Sequence, residues 1–459
     1  MLLVIPMDVI RIVIDHLHDD IQTLLACSLV HSSWTTAARR YLFHSLVIRI
    51  VRSLRDPYNP RLDMSSFVER LIGISTLPVR EYTRKLKIWG HDETQSWGLH
   101  WTANLTTLQK LFAVFPNVSE LDFHGLSLGP MTRPLLPYDE PDFDPWNSLA
   151  VPSQSALNYV SFSSLNLYNV KSLSVVFDIL GLFSSVDILR LSEGPIFMRE
   201  QTVLLEAHPS SLPDVRCLQV DCLDPWFIKC LFHGNRVHAL RSLKSIMFSG
   251  YFTDQVNPTS GINFLLRESG TSLHSLELSV TEVVGMAMSS IVEIRRTVES
   301  DFNIYWNTID FSPCTSLRRL VIRSDFNTRY PSPFRRELVP SENLPEHLIK
   351  SVLDVLAQFL ASAPGPLNSL ELVIDLRLSD LSDTLYPMDL MLAHTSWDRL
   401  RQILRDFSRR LRPSRIRYLL SDENGRDTSV WKTNFDNLRA RIRVEFMELE
   451  EEGILVNLE

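Results

Sequence analysis

One spacing of apolar positions recurs along most of the chain: apolar, two other residues, apolar, one other residue, apolar. It reads VSELDF at 118–123, LNYVSF at 157–162, VDILRL at 186–191, VRCLQV at 215–220, LKSIMF at 243–248, LHSLEL at 273–278, LRRLVI at 317–322 and LNSLEL at 367–372. Weaker copies are TRKLKI at 83–88 and IRYLL at 416–420. The last residues of each copy alternate, and alternation puts the apolar members on one face of a strand. Helical patterns precede several copies, among them LTTLQKLFAVF, LIKSVLDVLAQFLA and WDRLRQILRDFSRRL. From Val160 through Leu189, Leu218 and Ile246 to Leu276 the central positions follow one another at 28 to 30 residues, and the outer copies spread to about 50. A strand and a helix in each step predict an α/β chain with a parallel sheet.

The first fifty residues carry a different pattern. Helical spacing runs from Met7 to Leu17, from Ile21 to Val30 and from Ser32 to Phe43. Asp19 or Asp20 suits the cap of the second helix, and Ser32 or Ser33 that of the third. At about 100° per residue, Val9, Ile10, Ile12, Val13, Ile14 and Leu17 cover roughly 200° of the first helix, about twice the stripe that a surface helix needs. A three-helix unit of this size is marginal alone. Part of that arc is therefore expected to meet another domain or another protein.

Composition changes little in this picture. The chain has 459 residues, 45% of them hydrophobic and 22% charged, which is ordinary for a globular protein. A net charge of -8 argues against a dedicated nucleic-acid binder. Five scattered cysteines suit a reducing compartment. Pro6, Asp8 and Arg11 interrupt the apolar start, so it does not read as a signal peptide, and no run is apolar for long enough to span a membrane. The expected location is cytoplasmic or nuclear. Proline-rich stretches at 130–152 and 324–347 read as loop insertions. The acidic helical pattern from Asn434 to Glu452 and the tail ILVNL read as a terminal cap with a last strand.

IPMDVIRIVIDHL and TLLACSLVHSSWTTAARRYLF, with Pro6, Leu29, Val30, Trp34 and Phe43, together resemble an F-box, most closely the F-box-like domains of fungal proteins. Ile5 stands where Leu is usual and His31 where Cys is common. The resemblance covers about 40 residues of the chain. It implies binding to a Skp-family adaptor, and through it to a cullin, by Ile5, Pro6, Val9, Ile10, Ile14, Leu24, Leu25, Leu29, Val30 and Trp34. The later repeats resemble irregular leucine-rich repeats, and an F-box followed by such repeats is a known layout of substrate receptors in ubiquitin ligases. The expected organisation is an F-box-like helical domain at 1–48, a connecting segment at 49–80 and a leucine-rich-repeat solenoid at 81–459. The expected function is substrate recognition with no catalytic step and no cofactor. The alternative is a repeat scaffold outside ubiquitin chemistry. Between the inward positions, Lys87, Glu120, Asp122, Arg190, Gln219, Glu277, Arg319 and Glu371 would face outward from the sheet, as a solvated face or as the surface that meets a target protein. Their mixed signs give no charge rule for that target.

Three chemical motifs are weaker. Gly125-Leu-Ser127-Leu-Gly129 spells the nucleophile elbow of a serine hydrolase, but PMTRPLLPYDEP follows it and cannot supply the helix that the elbow requires. Cys217, Cys222, Cys230, His233 and His238 lack the tight pairing of zinc ligands. The arginines from Arg399 to Arg417 alternate with Leu400, Ile403, Leu404, Phe407 and Leu411, the pattern of a solvated helix face beside a buried one.

Overall fold

The computed structural model describes residues 6–49, 68, 79–89, 101–103, 105–128, 156–163, 176–192, 212–221, 228–229, 231–249, 259–280, 308–327, 344–367, 369–379, 396–422, 429–454 and 456–458. They fall into two compact units, Met1–Asp214 and Val215–Glu459. The chain is α/β, with parallel repeat strands of the leucine-rich-repeat type in each unit.

The first unit opens with helices α1 (Met7–His16), α2 (Ile21–Val30) and α3 (Ser32–Leu42). Asp20 caps α2, its carboxylate accepting from the Thr23 amide at 3.0 Å and the Thr23 hydroxyl at 2.6 Å. Those two bonds hold the Asp20 pKa below its ordinary value. The cap of α3 differs from expectation. His31, not Ser32 or Ser33, precedes the helix in extended conformation, and its Nδ1 accepts from the Ser33 amide at 3.2 Å. An imidazole nitrogen does here what a serine oxygen was expected to do. Both serines lie inside the first turn.

Strand β1 (Ser45–Arg49) follows directly. It was not among the repeat copies, although Leu46 and Ile48 share their alternation. Next come α4 (Val79–Tyr82), β2 (Lys85–Trp89), β3 (Trp101–Ala103), α5 (Leu105–Val114), β4 (Glu120–His124), β5 (Leu126–Leu128), β6 (Leu157–Ser163) and β7 (Ser185–Ser192). The strands β1-β2-β4-β6-β7 pair in parallel in that order, and β3 and β5 form a separate parallel pair. Leu46, Leu86, Leu121, Val160 and Leu189 stand in one row of the register. The last four of these are buried.

The second unit contains β8 (Asp214–Asp221), a 3-10 helix (Gly234–Ser242), β9 (Ser245–Ser249), α6 (Thr259–Ser269), β10 (Ser275–Val280), β11 (Arg319–Asn327), α7 (Leu344–Ser362), β12 (Glu371–Ser379), α8 (Trp397–Leu411), β13 (Arg415–Asp422), α9 (Ser429–Glu451) and β14 (Val456–Leu458). Its strands pair in parallel in chain order. One buried row runs Leu218, Ile246, Leu276, Leu320, Leu372, Ile416 and Val456. Behind the sheet, Phe311, Phe359 and Phe407 from successive repeats pack ring to ring at 5.0 and 5.8 Å. Nine of the ten spelled copies are therefore strands along most of their length, and the tenth, LNSLEL, reaches β12 only with its last two residues. Two are out of phase. In IRYLL the row takes the first position, Ile416. Leu320 pairs with Leu372, so the equivalent of the central position in LNSLEL is Leu372 and not Leu370. Leu370 is buried ahead of the strand, and its apolar spelling imitated the motif two residues early.

The segment 324–347 begins within β11 and ends within α7, so its residues 328–343 and the whole of 130–152 lie outside the described residues. Pro345 is in the first turn of α7, where no intrahelical amide bond is lost. Among the described residues no helix is long and apolar enough to cross a membrane.

Candidate functional site

The three N-terminal helices meet in a small core. Ile10, Ile14, Leu24, Cys27 and Ala38 are buried, with Leu17, Trp34, Ala37, Tyr41 and Leu42 packed partly against them. Polar bonds tie the helices together. The Tyr41 hydroxyl donates to the Asp15 carboxylate, a bond that pushes the Tyr41 pKa up. The Thr35 hydroxyl donates to the Ser28 carbonyl at 2.6 Å.

What this core leaves outside is large. Leu29 is 86% exposed, Val30 70%, Ile21 62%, Ile12 57%, Val9 46%, Leu25 46%, Val13 40% and Met7 38%. The unusually wide apolar arc of α1 therefore divides, with Ile10 and Ile14 facing inward and Val9, Ile12 and Val13 reaching solvent. Three of the residues expected to touch an adaptor, Ile10, Ile14 and Leu24, are at most 4% exposed and are occupied by the core. They support the surface from behind. Trp34 is half-buried, Pro6 is exposed, and Ile5 lies outside the described residues. Sequence reasoning omitted Met7, Ile12, Val13 and Ile21 from the contact set, although Ile12 and Val13 belonged to the arc it had drawn.

The second candidate surface is the polar face of the sheet in the second unit. Opposite the buried leucines stand Glu277 on β10, Arg319 and Arg323 on β11, Glu371, Asp375 and Arg377 on β12, and Arg417 on β13. They are not a simple solvated face. Arg323 donates to Asp375 at 2.9 Å and forms an ion pair with Glu277. Arg377 donates to the same Asp375 at 3.2 Å. Glu371 pairs with Arg319 at 3.5 Å and with Arg417 at 3.3 Å. Each strand supplies the charge that its neighbour lacks, the arrangement that favours cross-strand pairs. Burial pushes the Glu277 pKa above its ordinary value, and the cations Arg323 and Arg377 only partly oppose that shift. The first unit repeats the pattern on a smaller scale, with Lys85–Glu120 at 2.8 Å and Lys87–Asp122 at 3.6 Å.

The weaker motifs resolve locally. Gly125 adopts φ 62°, which ends β4, and Ser127 then lies inside β5 opposite Thr102 on β3. A nucleophile elbow needs a helix where this chain places a strand. Cys217 sits on β8, and burial raises its thiol pKa. Cys222 and Cys230 lie outside the described residues, among which no three His, Cys, Asp or Glu side chains could hold a metal ion. The arginines of α8 were expected to be solvated, and several are instead bonded to other helices. Arg399 pairs with Asp354 at 2.5 Å, Arg401 with Glu445 at 2.7 Å and Arg405 with Glu452 at 2.6 Å.

No family model matches the chain, and no curated protein matches it. Among solved structures it is similar to the leucine-rich repeat-containing protein LegL7 from Legionella pneumophila, at 13% identity and a TM-score of 0.31, over 86% of this chain and 97% of that one.

Proposed function

We propose that the chain is a substrate-recognition adaptor of a Skp-cullin-F-box ubiquitin ligase. In this reading α1 and α2 bind a Skp-family adaptor, which joins them to a cullin, and the polar faces of the repeat strands receive a protein target. The chain itself performs no catalytic step and uses no cofactor. The observation that carries the reading is the set of eight exposed large apolar side chains on α1 and α2. Exposed patches of this kind mark interaction surfaces. Fully burying one such side chain contributes about 1.5–3 kcal/mol, and micromolar binding requires about 8 kcal/mol, so a handful suffices.

The test uses the purified full chain and a purified Skp-family adaptor in a calorimetric titration. Wild type binds with micromolar affinity or better. Leu29→Asp combined with Val30→Asp abolishes binding, while thermal stability changes by no more than about 0.5 kcal/mol, as for other surface substitutions. A wild-type chain that does not bind the adaptor at micromolar concentration overturns the reading and leaves a repeat protein with a different partner.

A further inference from the structure

Helix α9 and strand β14 carry a second surface with an unusual charge order. Arg439, Arg441 and Arg443 stand in the middle of the 23-residue helix, and Glu445, Glu448, Glu450 and Glu451 in its last two turns. The acids of the last turn oppose the helix dipole, which favours bases near the C-terminus, and that turn holds no base. Part of the acidic set is accounted for by α8. Glu445 and Glu448 pair with Arg401, and Glu448 and Glu452 pair with Arg405. Those residues project toward α8. Arg443, Met447 and Glu450 fall on a different stripe at about 100° per residue, with Val444 on its flank. Met447 is 50% exposed and Val444 62%. Arg443, Phe446 and Glu450 line one depression together with Val456, Asn457 and Leu458 of β14. Among the described residues only β13 pairs with β14, which leaves its other edge open.

We propose that this surface joins a second copy of the same chain about a two-fold axis. An axis between Phe446 and Met447 lays α9 antiparallel to its copy. Arg443 of each chain then faces Glu450 of the other, twice, with the two Met447 side chains at the centre. A surface of one charge sign could not pair with itself in this way. An isologous contact requires that each patch complement its own rotated image, and an Arg and a Glu placed symmetrically about an apolar centre meet that requirement. The antiparallel neighbour also sets an arginine against the acidic end of each helix, which offsets the unfavourable charge there. The same axis brings the open edges of β14 side by side, where strand pairing can add to the contact.

Sedimentation velocity of the full chain at micromolar concentration tests this. Wild type sediments as a dimer, twice the 52.8 kDa chain. Arg443→Glu makes both ends of the stripe acidic and Glu450→Arg makes both basic, so each variant alone is monomeric at the concentration where wild type is dimeric. Both positions face solvent, and circular dichroism checks that each variant is folded. An equimolar mixture of the two monomeric variants forms a heterodimer, because each supplies the charge that the other lacks. The double variant R443E/E450R dimerises with itself again. A monomeric wild type, which is also the outcome if another protein occupies this face, overturns the proposal. So does a dimer that survives either single substitution, or a mixture that stays monomeric.

Discussion

Glu277 shows how a single residue on the sheet face balances two opposing effects. Its carboxylate lies against Arg323, yet burial pushes its pKa above the ordinary value. A carboxyl whose pKa is raised on folding holds its proton more tightly in the folded state. Its contribution to stability is therefore greatest below the ordinary carboxylate value and falls as pH rises through the raised one. The variant Glu277→Gln removes that penalty, and Arg323 keeps Asp375 at 2.9 Å as its partner. Its melting temperature at neutral pH should be no lower than that of wild type, and any advantage should shrink as the pH is lowered toward the carboxylate range. Differential scanning calorimetry across that window checks it. A lower melting temperature at neutral pH would mean that the ion pair outweighs the burial. The outward position of Glu277 was legible from its place between two leucines. Its ion pair was not, because Arg323 lies on another strand and only the register brings it near.

At the scale of an element, α8 and α9 show the same division. The buried residues of α8 are Leu400, Ile403, Leu404, Phe407 and Leu411, the stripe that helical spacing marks in the sequence. Its arginines could not be read in the same way. Arg401 and Arg405 are clamps on α9, reaching Glu445, Glu448 and Glu452. An arginine on a solvated face and one bonded to a neighbouring helix have the same spelling, and the partner carboxylates lie more than forty residues away in sequence. Removing both clamps with R401A/R405A should accelerate amide hydrogen exchange in α9 and β14 and leave the protection of β9 to β11 unchanged. In a repeat array each element depends mainly on its neighbours. Equal loosening of β9 to β11 would contradict that assignment.

At the scale of the whole molecule, the N-terminal helices are joined to the first unit by an element that belongs to the sheet. Strand β1 begins three residues after α3 ends and pairs along its length with β2. A boundary at residue 48, where the sequence suggested the helical domain would end, therefore falls inside a strand. Removing residues 1–44 keeps β1, whereas removing residues 1–49 uncovers the edge of β2, and an uncovered edge is a template for aggregation. Static light scattering should show the longer truncation aggregating at concentrations where the shorter one remains monodisperse or dimeric. Equal behaviour would mean that β1 does not protect the edge. The shorter truncation is also the proper control for adaptor binding, since it removes α1 to α3 and leaves the strands in place.

The sequence by itself determined most of the repeat strands and long helices and, for most of them, the face that turns inward, because these depend on periodicities of two and 3.6 that are written locally, whereas β1, β3 and β5 were not read from it. It also showed that α1 carries more apolar surface than a small domain can bury. Only the tertiary structure decided how that surface divides, since Ile10 and Val9 are equally apolar in the sequence and differ only in what α2 and α3 cover. The same is true of the phase of Leu372, the charge pairs across the sheet and the stripe on α9. Each depends on which residues distant in the chain become neighbours, and no local pattern encodes that.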